Sequence, residues 1–185
     1  MEHTFHSMGN IELLSSRPVV VFASRQTPTE LTALTDDLAR ALSQKGLTVM
    51  SGWQSPLEKR FLKVFLKGGQ GAVIWVRASS LEPRMRRYVP EVWWRRDACL
   101  MMAPEGASAR PTDKDINHRD ALILEHATSV LFLSITAGGR LERLGAGLLQ
   151  KKFPLFIVRH PHNRPWMEQG MLPVLPDEPF TLFTR

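Results

Sequence analysis

Hydrophobic residues in this chain alternate between short continuous runs and longer stretches where they recur every three or four positions. Pro18-Val19-Val20-Val21-Phe22-Ala23 is a continuous run of strand length. Apolarity at every position, rather than every second one, predicts a strand covered on both faces, as in a parallel sheet. Leu31, Leu34, Leu38, Ala41 and Leu42 then follow at helical spacing. Thr29 is placed to cap that helix, Asp36 and Asp37 to face outward, and Gly46 to end it. Leu47-Thr48-Val49-Met50 reads as a second strand, closing at Ser51-Gly52.

The unit repeats. Ser55 caps and Pro56 opens a helix whose apolar side carries Leu57, Phe61, Leu62, Val64, Phe65 and Leu66. Lys59, Arg60, Lys63 and Lys67 form its wet side, and Gly68-Gly69 ends it. Strands are predicted at Ala72-Val73-Ile74-Trp75-Val76, at Ala98-Cys99-Leu100-Met101-Met102, at Ser129-Val130-Leu131-Phe132-Leu133-Ser134-Ile135 and at Leu155-Phe156-Ile157-Val158. Helices are predicted within 113–127 and over about 140–151. Strand and helix in strict alternation imply crossover connections. The expected fold is a single-domain α/β structure, Rossmann-like, with a mostly parallel sheet and helices on both faces. Residues 1–17 read as an N-terminal extension and 18–159 as the Rossmann-like domain. Residues 160–185, with Pro161, Pro165, Pro173, Pro176 and Pro179, read as a packed, extended tail rather than another α/β unit.

Composition narrows the function classes. With 43% hydrophobic and 23% charged residues among 185, the chain can bury a core, which excludes disorder over most of its length. No apolar run is long enough for a membrane span, and the segment from Met1 to Ser16 lacks the basic and apolar regions of a secretory leader. A lone Cys99 cannot form an internal disulfide and fits a reducing, cytoplasmic home. His160 and His162 flank Pro161, and His3 and His6 lie near the start, but these spacings match no metal site. Neither G-x-G-x-x-G after the first strand nor G-x-x-x-x-G-K-[ST] is present, so no dinucleotide or P-loop chemistry is expected, and no cofactor. The formal charge of +6 permits a nucleic-acid partner.

Ligands of open parallel sheets settle beyond the carboxyl ends of the strands, where helix N-termini offer free N–H groups to phosphate. Three such ends carry suitable residues: Ser24, Arg25 and Thr27 after the first strand; Ser51 and Gly52 after the second; Gly138, Gly139 and Arg140 after Ile135. Ser, Thr, Gly and Pro also supply the caps and turns of any α/β protein. Three loops opening on one rim, however, would make an anion pocket.

Those residues carry a likeness. Val19 to Arg25, followed by Pro28-Thr29, resembles the strand and S-R-x-P-T turn that open the DprA/Smf (DNA-processing protein A) domain. Met50-Ser51-Gly52 stands where that family has V-S-G, and His118-Arg119-Asp120-Ala121-Leu122-Ile123 where it has R-N-R-I-I. Gly138-Gly139-Arg140 is similar to its G-S loop, and Tyr88-Val89-Pro90 to its Y-P step. The likeness spans roughly Pro18 to Val158 and departs from the family at Trp53-Gln54-Ser55-Pro56, in place of G-I-D, and at Asp120 and Ala121. It implies a protein that binds the phosphate backbone of single-stranded DNA through Ser24, Arg25, Thr27, Ser51, Gly52, Arg119, Gly138, Gly139 and Arg140. It also implies a role in DNA processing, uptake or recombination, a recombinase partner and a homodimer. A nucleotide or nucleotide signal is the alternative ligand. The wider group includes the LOG (lysine decarboxylase-like) phosphoribohydrolases, whose P-G-G-x-G-T-x-x-E motif is partly echoed by Gly138-Gly139 and Glu142. Glu142 would be the catalytic carboxylate of that reading, and equally suits a first-turn acid on a helix dipole.

Arg84, Arg86, Arg87, Tyr88, Trp93, Trp94, Arg95 and Arg96 form a dense basic and aromatic stretch. Guanidinium groups neutralise phosphates and aromatic faces stack on unpaired bases, which makes a single-strand platform one reading. Core or interface anchoring by Trp93 and Trp94 is the other.

Overall fold

The computed structural model of the protein describes residues 4–177. His3 and residues 178–185, Pro179 among them, lie outside that range. The strands are β1 (Phe5–Gly9), β2 (Val19–Ala23), β3 (Thr48–Ser51), β4 (Ala72–Val76), β5 (Cys99–Pro104), β6 (Ser129–Ser134), β7 (Leu155–Val158) and β8 (Leu172–Val174). Between them lie the helices α1 (Leu31–Gln44), α2 (Pro56–Gly68), α3 (Glu91–Arg95), α4 (Asp113–His126), α5 (Arg140–Gln150) and α6 (Arg164–Glu168). The strands form one eight-stranded sheet in the order β1-β5-β4-β3-β2-β6-β7-β8. Every pairing is parallel except β1 with β5, so the Rossmann-like α/β expectation holds.

Continuous apolarity in the inner strands has the cause expected of it. Val19 and Val21 of β2 pack with Leu38, Leu42, Phe61 and Phe65 of α1 and α2 on one face. Val20 and Phe22 pack with Leu122, Ile123, Leu141 and Leu148 of α4 and α5 on the other. Period-2 side chains thus feed two separate hydrophobic layers, and each buried Val, Leu or Phe contributes roughly 1.5–3 kcal/mol. Lys59, Arg60, Lys63 and Lys67 are exposed along α2 as predicted, with Arg60 forked onto Asp36 of α1 at 2.7 and 2.6 Å.

The chain departs from the sequence reading in three places. Residues 5–9 are an edge strand, antiparallel to β5. The proline-rich segment, expected to be a packed, extended tail, contains α6 and a short strand β8 parallel to β7. Pro173 is tolerated there because β8 is the last strand of the sheet, where one side of the backbone needs no ladder bond. Thr29 does not cap α1. Glu30 is already helical at φ −61°, ψ −27°, and the turn is closed by the Leu31 and Thr32 N–H groups donating to the carbonyls of Pro28 and Thr29. No helix among the described residues is long and apolar enough to cross a membrane.

Chain order fixes where a ligand can enter. From β2 the chain steps through β3 and β4 to β5 in one direction, then returns to place β6 on the opposite side of β2. The loops leaving β2 and β6 therefore diverge to opposite faces and leave a crevice between them.

Candidate functional site

That crevice is the floor of an open cleft of about 1360 Å³. Its two walls are fastened to each other. The Ser24 N–H donates to the Ser134 carbonyl at 2.9 Å, the Thr136 N–H to Ser24 Oγ at 2.9 Å, and Thr136 Oγ1 to the Gln26 carbonyl at 2.8 Å. Ser24 thus spends one acceptor site on the scaffold, and its hydroxyl, which lines the cleft, has no acceptor among the described residues.

The charged groups of the cleft form one chain. Arg119, on α4, is only 5% exposed, and its Nε and Nη2 donate to Asp120 Oδ1 at 3.0 and 2.7 Å. Arg140, at the start of α5, pairs with the other oxygen of Asp120. Glu58, also 5% exposed, faces Arg119 from α2. Its carboxylate accepts from the N–H groups of Ala23 (2.9 Å), Gln54 (2.7 Å) and Ser55 (3.2 Å), so it pins the end of β2 to the start of α2. Burial pushes Glu58 above the usual carboxylate range, against the pull of those donors and of Arg119. Burial also lowers Arg119 and Arg140. The neighbouring Arg119, and more weakly Arg25, push Arg140 the same way. Arg25 itself is exposed and carries no ion pair among the described residues.

Gly52 gives the Arg119 guanidinium its room. A Cβ there would lie 2.9 Å from Arg119 Nη1 and 3.0 Å from Cζ, so a side chain at 52 would push the guanidinium from its place on Asp120. The next residue turns sharply: Trp53 sits at φ 51°, with its N–H on Ser51 Oγ at 3.3 Å and its indole fully buried against Phe61. Ser51 is therefore a turn-former, and Trp53 occupies the place where the family has its G-I-D.

Of the sequence-predicted site residues, Ser24, Arg25, Ser51, Gly52, Arg119, Gly139 and Arg140 all line this cleft, whereas Thr27 and Gly138 do not. The three helix starts differ in what they offer. At α2 Pro56 has no N–H and the capping box takes those of Ser55 and Glu58. At α1 the first turn lies off the cleft. At α5 the N-cap is Gly139, with no side-chain cap, and this start remains open. Glu142 is bonded to the Gly138 N–H, as a first-turn acid on its own loop. Sequence reasoning missed Arg77, Arg143 and Glu58. The spacing Ser55-x-x-Glu58 was the available signal for the last.

Trp93 and Trp94 leave the platform reading altogether, being the buried residues of α3 and part of the core. Their faces are covered within the molecule: Arg96 stacks on Trp93 at 4.1 Å and Arg86 on Trp94 at 4.7 Å. Among the described residues no group of His, Cys, Asp or Glu is placed to hold a metal ion.

The helix that presents Arg119 and Asp120 is anchored by a second capping box, Thr112 with Asp115. Hydrogen bonds from the Thr112 N–H, the Thr112 hydroxyl and Ser108 hold Asp115 down to about 2, from an ordinary 3.8. A depressed carboxyl stabilises the fold above its unfolded value and loses that contribution as pH falls through its folded one. Acid unfolding should accordingly show a component between 3.8 and about 2 that Asp115→Asn flattens, read as the slope of stability against pH.

No protein-family model and no curated protein matches the sequence. Solved structures do. DNA processing protein A from Streptococcus pneumoniae superposes with a TM-score of 0.72 at 15% identity, over 92% of this chain and 62% of that one. The chain thus spans under two thirds of that protein's length. DNA processing protein A from Helicobacter pylori, described by its single-stranded DNA binding mode, gives 0.70 at 15% identity, over 91% and 80%. The molybdenum cofactor carrier protein from Chlamydomonas reinhardtii gives 0.56 at 14% identity, over 85% and 90%. The chain therefore has the Rossmann-like fold found in DNA processing protein A and in the molybdenum cofactor carriers.

Proposed function

We propose that the cleft binds the phosphate backbone of single-stranded DNA, as part of DNA processing or recombination. The observation that carries this is the meeting of Arg25, Arg119 and Arg140 at the divergence of β2 and β6, beside the open start of α5. Arg25 and Arg140 repel each other there, and an anion lying between them would relieve the repulsion. Arg77 and Arg143 extend the positive lining, against the carboxylates of Glu58, Asp113 and Asp120. The open cleft admits a polymer, and the Helicobacter pylori protein of the same fold binds single-stranded DNA. Homodimerisation and a recombinase partner in the cytoplasm belong to the same reading, on the strength of the sequence likeness. A free nucleotide is the second reading, favoured by the fold shared with the molybdenum cofactor carrier.

Arg25→Ala is the clean test, because Arg25 is exposed and has no hydrogen bond or ion pair among the described residues. Binding of an oligothymidylate should weaken roughly fivefold, equally for other sequences, and the slope of log affinity against log salt should shrink by about 0.7. Salt-independent binding, or none, would remove the DNA reading. Saturable thermal stabilisation by a mononucleotide without oligonucleotide binding would favour the second reading.

A further inference from the structure

With Trp93 and Trp94 buried, the basic and aromatic segment keeps one exposed ring. Tyr88, at the end of the 3-10 helix Pro83–Tyr88, is 48% exposed. It leans on half-buried Trp75, the ring centroids 6.0 Å apart and tilted by 43°. Arg87 lies over its ring at 5.6 Å. No hydrogen bond ties down Tyr88 among the described residues. Trp75 is the penultimate residue of β4, and Arg77, the first residue beyond the strand, lines the cleft. Arg77 donates Nη2 to Ser79 Oγ at 2.8 Å, has a buried Nε with no partner among the described residues, and lies within electrostatic reach of Tyr88. A cation of the cleft and an exposed ring resting on Trp75 therefore share the same end of β4.

We infer that Tyr88, braced by Trp75 and flanked by Arg77 and Arg87, is a stacking shelf for an unpaired nucleobase of the strand whose phosphates occupy the cleft. This rests on the cleft being a phosphodiester site. The chemistry is direct. A phenol face left open to water, with guanidinium groups beside it, attracts a flat π-surface attached to a phosphate, and such stacking is sequence-tolerant because every base has a face. The ring is already positioned by Trp75, so little order must be gained on binding. The shelf thus assigns to the site a single-stranded ligand over a duplex, whose bases are already stacked on each other.

Two probes of equal length separate the base from the backbone: an oligothymidylate and an abasic deoxyribose-phosphate chain. Tyr88→Ala should weaken oligothymidylate binding roughly tenfold at fixed salt and leave the abasic chain unchanged, whereas Tyr88→Phe should retain wild-type affinity for both. Equal affinity of Tyr88→Ala and wild type for oligothymidylate overturns the shelf, and so does equal weakening for both probes, which would make Tyr88 a structural residue. In either case Arg25→Ala still weakens both probes if the cleft reading holds. If neither probe binds the wild-type protein, the cleft reading fails and takes the shelf with it. Thermal melting of Tyr88→Ala should match wild type, since half of the ring is already in water.

Discussion

Glu58→Ala is expected to lower stability by about 3 kcal/mol, seen as a fall of roughly 10 °C in melting temperature. The effect comes from what the carboxylate holds rather than from its volume. Three backbone donors, on Ala23, Gln54 and Ser55, converge on its two oxygens. Two of those bonds are fully buried, and an orphaned buried donor costs about 1–3 kcal/mol. Arg119 would also lose a counter-charge in the same dry corner. Water from the adjoining cleft can reach the Gln54 N–H, which moderates the total. Glu58→Gln keeps the carbonyl acceptor and should cost less than alanine. A melting temperature for Glu58→Ala within about 2 °C of wild type would mean that the end of β2 is not secured through this residue.

The layering of the fold was legible because burial on both faces writes itself into the sequence as unbroken runs such as Val19-Val20-Val21-Phe22. The outer strands were not. The β1 sequence Phe5-His6-Ser7-Met8-Gly9 has one half-buried side chain on each face, Phe5 and Met8, and no run, and β8 is three residues long around a proline. Strands of that kind are defined by the neighbour they meet, here β5 and β7, and not by their own composition. The candidate site was legible to the same extent. Topology alone brought the ends of β2, β3 and β6 to one rim, and with them Ser24, Ser51 and Gly139. What the sequence concealed was the pairing. Glu58 stands beside Lys59 and Arg60 in a charged stretch and looks like part of the wet side of α2. It is turned inward because the Ser55 capping box and the Ala23 N–H both require its oxygens. Asp120 looked like a departure from the family's R-N-R pattern, and its role as partner of Arg119 and Arg140 depends on a contact between α4 and α5 that no local spacing encodes.

Asp120→Asn should lower stability and tighten anion binding at once, and the opposite signs are what make it informative. Asp120 shares its carboxylate between a buried guanidinium, Arg119, and a half-exposed one, Arg140. Removing the charge leaves Arg119 uncompensated on that side, a loss of about 3 kcal/mol, whereas Arg140 can turn into solvent at little cost. The same removal frees two guanidinium groups to face a phosphate. At separations of about 7 Å and an effective dielectric between protein and water, losing one competing negative charge favours the anion by about 1 kcal/mol, or roughly fivefold in affinity. Arg119→Met combined with Asp120→Leu should recover part of the stability, because a packed apolar pair removes the desolvation of that ion pair but leaves buried Glu58 without its facing guanidinium. The double variant should still bind oligothymidylate less well than wild type, since Arg119 is then absent from the cleft. If Asp120→Asn lost stability and affinity together, the carboxylate would be holding Arg119 and Arg140 in a geometry the ligand needs. The positioning of those two arginines, and not their net charge, would then control binding.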